Sequence, residues 1–120
     1  MSIRREAELK YSAFYNSLKN FLNYNSGYKI GGVARWGSRT TGEHRDKSDL
    51  DVIFWIVRNP SKQKIYLALI NKLKKTLKVN TDIGSSSNVI KIWKEGVTCD
   101  LVLLSESDYR TQINTRRFIE

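Results

Sequence analysis

Apolar residues recur at three- and four-residue intervals near the start of the chain, at Ala7, Tyr11, Phe14, Leu18, Phe21 and Leu22. That spacing lines one face of an amphipathic helix. Asn25-Ser26-Gly27 ends it, with Gly27 suited to the left-handed conformation of a helix C-cap. Tyr28 to Trp36 reads as a first strand, and the pair Gly31-Gly32 inside it implies a bulge or a close backbone neighbour. Gly37 to Lys47 carries no core residues and reads as a turn or short helix. Asp49 to Val57 is a second strand whose apolar run is continuous rather than alternating. Both of its faces must therefore be covered, which makes it central in its sheet.

Asn59 as N-cap and Pro60 at the first helical position open a second helix, about Ser61 to Leu77. Its buried stripe is Tyr66, Leu69, Ile70, Leu73 and Leu77, with lysines on the solvated side. Val79 to Ile83 is a short strand, and Gly84-Ser85-Ser86-Ser87 a loop. Val89 to Trp93 and Val97 to Leu104 form a hairpin across the three residues Lys94-Glu95-Gly96. Ser105 and Asp108 have the spacing of a capping box, followed by a last basic helix through Arg110, Arg116 and Arg117. The order α-β-β-α-β-β-α predicts an α/β (α+β) fold: a mixed sheet of about four to five strands flanked by helices.

Composition narrows this picture. The 120 residues suffice for one domain, 1–120, with its own core. No apolar run approaches the roughly 18 residues of a membrane helix, and no apolar signal core follows the N-terminus. The single Cys99 has no internal disulfide partner and lies in an apolar run, which suits a reducing, cytoplasmic location. Lys and Arg number 21 against 12 Asp and Glu, a net charge of +9. So basic a surface favours polyanionic partners, nucleic acid first and nucleotide phosphates or an acidic protein behind it.

Three carboxylates stand out against this basic background. Asp49 and Asp51 are one residue apart at the start of the second strand, so alternation puts them on one face. Held that close they repel, and a divalent cation between them relieves the repulsion. Asp100 sits in an otherwise apolar strand, where a lone carboxylate is costly. If that strand lies beside Asp49 to Val57, Asp100 completes a cluster of three hard oxygen donors suited to Mg²⁺ or Mn²⁺. Two such ions would clamp the attacking and leaving oxygens of a displacement at phosphorus. Upstream, Gly37-Ser38 allows close backbone approach to a phosphate, with Arg39 available for a charge-assisted bond.

These residues together, Gly37, Ser38, Gly42, Ser48, Asp49, Asp51 and the later Asp100, resemble the nucleotidyltransferase superfamily of DNA polymerase β over about residues 28 to 104. The resemblance implies a nucleotidyltransferase fold and transfer of a nucleoside monophosphate from an NTP to a hydroxyl of RNA, DNA or protein. It implies Asp49, Asp51 and Asp100 as catalytic metal ligands, with Asp100 helping to deprotonate the attacking hydroxyl. It also implies a nucleotide-binding role for Gly37, Ser38, Arg39 and Ser48. In size and in its Gly-Ser-Arg start the chain is similar to the minimal nucleotidyltransferases, which are often paired with a HEPN partner protein as antitoxin and toxin. The alternative function is that of a binding module that neutralises a partner protein or covers nucleic acid. The other reactive side chains read more plainly: His44 as a loop residue, Cys99 as core, Trp55 and Trp93 as core packing rather than stacking platforms.

Overall fold

The computed structural model of the chain describes residues 3–36, 50–58, 62–83 and 89–120. Helix α1, Ile3–Asn20, runs into one π-helical turn, Phe21–Asn25. Ser26 then closes the helix. Its buried hydroxyl donates to the Leu22 carbonyl at 2.6 Å and accepts from the Tyr28 N–H at 3.2 Å. Gly27 follows at φ +84°, the left-handed cap residue that the sequence predicts.

Strands β1 (Ile30–Trp36) and β2 (Leu50–Ile56) lead to helix α2 (Lys62–Leu77), then β3 (Asn80–Ile83), β4 (Val89–Lys94), β5 (Val97–Leu103), helix α3 (Glu106–Asn114) and β6 (Phe118–Ile119). The strands form one sheet in the order β3-β4-β5-β2-β1-β6. Neighbours are antiparallel except β2 and β5, which are parallel. The sheet is thus mixed, with β2 inside it as the continuous apolar run requires.

Two clusters hold the layers together. The larger takes Leu50, Val52, Phe54 and Ile56 of β2, Val97, Cys99, Leu101 and Leu103 of β5, and Ile90 and Ile92 of β4. Against them lie Tyr11, Tyr15, Leu18, Phe21 and Leu22 from the α1 segment and Ile65, Tyr66, Leu69 and Leu73 from α2. The second, smaller cluster is on the opposite face, where Tyr109 of α3 covers Ala34 and Ile53, with Trp55, Val102 and Phe118 packed around them. Ser105 caps α3, accepting from the Asp108 N–H at 3.1 Å.

The glycine pair in β1 fulfils both of its expectations. Ile30 pairs with Ile56 and Gly32 with Trp55, which leaves Gly31 as the extra residue of a bulge. A Cβ on Gly31 would lie 2.1 Å from the Trp55 ring, and one on Gly32 would lie 2.8 Å from that of Tyr109. The Tyr109 hydroxyl is buried without a well-formed hydrogen bond. Burial raises its pKa, and the nearby Glu120 carboxylate raises it further.

Four expectations need correction. The sheet has six strands, because the chain after α3 turns and Phe118 pairs with Trp36. The final helix therefore stops at Asn114, and Arg116, at φ +60°, lies in the turn beyond it. The β4–β5 connection is two residues, not three: Lys94 pairs with Val97, and Glu95 and Gly96 take φ of +51° and +83°. Both residues left-handed is the signature of a type I′ turn, whose twist matches that of the strands. Trp93 is not core. It is 41% exposed, while its neighbour Ile92 is buried. Asn59-Pro60, Gly84–Ser87 and His44 lie outside the described residues.

Candidate active site

The apolar alternation of β5 decides where its carboxylate points. Val97, Cys99, Leu101 and Leu103 face the α1/α2 core, so Asp100 faces the other way. In β2, Leu50, Val52, Phe54 and Ile56 make the same choice and turn Asp51 to that same opposite face. The parallel register pairs Leu50 with Cys99, Asp51 with Asp100, and Val52 with Leu101. A slip of β5 by one residue would turn Asp100 into the apolar core and Cys99, Leu101 and Leu103 out of it, so burial fixes the register. Directly paired residues on neighbouring strands share a face, with strands roughly 4.8 Å apart. Asp51 and Asp100, separated by 48 residues in the chain, are thereby side-by-side neighbours, and both are half-buried.

β4 adds a cation. Lys91 pairs with Asp100 across the antiparallel β4–β5 ladder, and its Nζ lies 3.4 Å from Asp100 Oδ1. The lysine side chain is 52% exposed, so the contact is screened and contributes well under about 1 kcal/mol. It nevertheless offsets part of the repulsion between the two carboxylates.

On the β1 side, Arg35 pairs with Val52 and faces the main core, where its guanidinium lies over the Tyr15 ring at 5.2 Å and donates to Ser12 Oγ at 3.4 Å. Trp36, the next residue, faces the Asp51 side and meets Phe118 edge-on, ring centroids 5.4 Å apart. Directly after Trp36 the chain enters Gly37-Ser38-Arg39. Gly37, Ser38, Arg39, Gly42, Ser48 and Asp49 lie outside the described residues. Of the three predicted acidic ligands, the structure thus brings two together and leaves the third undescribed.

Among the described residues no three His, Cys, Asp or Glu side chains are grouped to hold a metal. The donor set that is described, two adjacent half-buried carboxylates, is hard and anionic, and suits Mg²⁺ or Mn²⁺ rather than a soft ion. Cys99 points to the core and is buried, so thiolate ligation is not part of the site.

Lys91 was not among the residues singled out from sequence, although the strand pattern held the signal. In Val89-Ile90-Lys91-Ile92-Trp93 the isoleucines alternate with Lys91 and Trp93, which places the lysine and the tryptophan together on the side away from the core.

No protein-family model and no curated protein sequence matches the chain. Solved structures do resemble it. In the GLD-2/RNP-8 complex the superposition covers 88% of this chain and 43% of the other, with TM-score 0.64 and 16% identity. For a STING-associated CdnE c-di-GMP synthase from Capnocytophaga granulosa it covers 82% and 33%, with TM-score 0.61 and 21% identity. For Cid1, a structure described for its RNA terminal uridylyl transferase activity, it covers 95% and 36%, with TM-score 0.61 and 15% identity. The chain spans less than half the length of each. These neighbours are nucleotidyltransferases of the DNA polymerase β-like superfamily. The mixed six-stranded sheet, with two helices on one face and a third on the other, gives this chain the nucleotidyltransferase fold.

Proposed function

We propose that the chain catalyses transfer of a nucleoside monophosphate from an NTP to a hydroxyl acceptor, using a divalent cation. The observation that carries this reading is the pairing of Asp51 with Asp100 on one face of a nucleotidyltransferase-type sheet.

In this reading Asp51 and Asp100, with Asp49, hold the ion. Bound there, Mg²⁺ or Mn²⁺ supplies positive charge to the phosphate oxygens and to the attacking and leaving oxygens. Gly37-Ser38 backbone amides and the Ser38 and Ser48 hydroxyls hold the triphosphate, and Arg39 pairs with a phosphate oxygen. The acceptor oxygen attacks the α-phosphorus. One P–O bond forms, the α–β bridging P–O bond breaks, pyrophosphate leaves, and the hydroxyl proton passes to Asp100.

The test is incubation with each labelled NTP, Mg²⁺ or Mn²⁺, and RNA, DNA or protein acceptors. Transfer by wild type that Asp51→Asn and Asp100→Asn abolish is the expected result. No transfer under any condition, or transfer unchanged in Asp51→Asn, would overturn the reading and leave a binding module with the same fold.

A further inference from the structure

The face that carries Asp51 and Asp100 is only partly covered. α3 packs on β1 and β2 there, whereas at the β3–β4 end Asn80, Asp82, Lys91 and Trp93 are exposed. Trp93 pairs with Thr98 on one side and with Asn80 on the other. Lys91 pairs with Asp100 and Asp82. These pairs set two rows across the sheet, Asn80–Trp93–Thr98 and Asp82–Lys91–Asp100–Asp51. Two residues along a strand is roughly 7 Å, so the indole is one step from the carboxylates, a span that one nucleotide bridges. A shallow recess of about 110 Å³ lies here, with Lys91, Trp93, Thr98 and Asp100 in its lining.

An exposed tryptophan needs a reason, and its surroundings separate the candidates. The core of a protein-docking surface is built from apolar neighbours. Among the described residues the ladder neighbours of Trp93 on this face are Asn80, Asp82, Lys91, Thr98 and Asp100, all of them polar. An exposed flat ring beside a lysine that is shared with Asp100 offers instead a stacking face and a cation, the two contacts that bind single-stranded nucleic acid. A base stacks on the ring and a phosphate meets the cation. The sheet order also bears on which substrate this is. The chain leaves β1 at Trp36, on one side of β2, to enter the stretch assigned to the triphosphate, while Trp93 is on β4, beyond Asp100 on the other side. Displacement at phosphorus puts the attacking and leaving groups on opposite sides, so the β4 side belongs to the acceptor.

We propose that Trp93 and Lys91 form the acceptor platform, with the base near the end of a single-stranded nucleic acid stacked on the Trp93 indole and its phosphate held by Lys91, so that the terminal hydroxyl reaches Asp100. The proposal rests on the nucleotidyl-transfer reading for the direction of the strand but not for its binding.

Fluorescence anisotropy with a labelled short single-stranded oligonucleotide and no NTP tests it, with one RNA arm, one DNA arm and a duplex of equal length as control. Trp93→Ala is expected to weaken single-strand binding about five- to hundred-fold, and Trp93→Phe to restore most of it. Duplex binding should be unchanged by either. Lys91→Ala should weaken both and lower the salt slope by about one. Because Trp93 is exposed, both variants should melt within a few degrees of wild type. Tighter RNA than DNA binding would assign the 2′-hydroxyl a contact, and equal binding would assign the platform to either strand. Single-strand affinity within two-fold of wild type in Trp93→Ala, or an equal loss on the duplex, would overturn the platform. Trp93-dependent binding with no transfer would keep the platform and overturn the catalytic reading instead.

Discussion

Asp51 and Asp100 face each other across the one parallel ladder of the sheet, with Lys91 on the far side of Asp100 at 3.4 Å. An ion that binds the folded pair but not the unfolded chain stabilises the fold by mass action, about 2.7 kcal/mol at a hundred times its dissociation constant. Millimolar Mg²⁺ or Mn²⁺ should therefore raise the melting temperature of the wild type above its value in chelator by several degrees. Asp51→Asn and Asp100→Asn should each remove most of that rise. A rise of the same size in both variants would place the ion elsewhere.

Gly31 is pinned by its neighbour. Its added methyl would sit 2.1 Å from the indole of Trp55, a ring that Arg110 stacks over at 6.0 Å. Gly31→Ala should cost about 1–3 kcal/mol by overpacking, read as a shift of the urea midpoint. Replacing Trp55 by Leu in the same chain should recover part of the loss, because the two positions share one space.

The Tyr109 hydroxyl is the reverse case, a polar group that burial leaves poorly satisfied. Tyr109→Phe should change stability by no more than about 1 kcal/mol, since the hydroxyl it removes is desolvated and interacts only loosely with Glu120. The same residue gives the protein an alkaline limit. Its pKa is raised from 10.0 in the fold, as are those of Tyr15 and Tyr66, each mainly by burial. The unfolded chain loses these protons first, so the tyrosine contribution to stability is complete below about pH 10 and falls as pH rises beyond it. Melting curves between pH 9 and 11 should show that fall, less steep in Tyr109→Phe than in the wild type.

Glu95 occupies the first position of the type I′ turn at φ +51°, a conformation that asparagine adopts at lower cost. Glu95→Asn should stabilise the protein by up to about 1 kcal/mol without altering single-strand binding. A lower melting temperature would show that the glutamate side chain has a stabilising role of its own.

Much of the fold is legible because its elements obey one period each. The α1 and α2 stripes, the Gly27 cap, the Ser105 cap, the central position of β2 and the Gly31 bulge all follow from local rules. What escapes is set by pairing. Phe118-Ile119 is too short to signal a strand, and becomes one only because Arg35 and Trp36 offer it an edge. Trp93 looks like core in a list of aromatic residues, but its parity relative to Ile90 and Ile92 sends it outward. For the site, Asp100 was readable as the one carboxylate in an apolar strand. Its partner Lys91 depends on the register of the hairpin, which the type I′ turn determines.

The parallel ladder between β2 and β5 also has a consequence for how the protein comes into being. Its two carboxylates enter the chain 49 positions apart, and α2, β3 and β4 must be made before β5 can dock. Closing that loop carries an entropy cost that grows slowly with its length, and it brings two like charges together. A nascent chain released before Cys99 holds every residue assigned to the triphosphate and only part of the assigned acidic set. The two described carboxylates therefore come together only once β5 has docked, with α3 and β6 still to follow it in the chain.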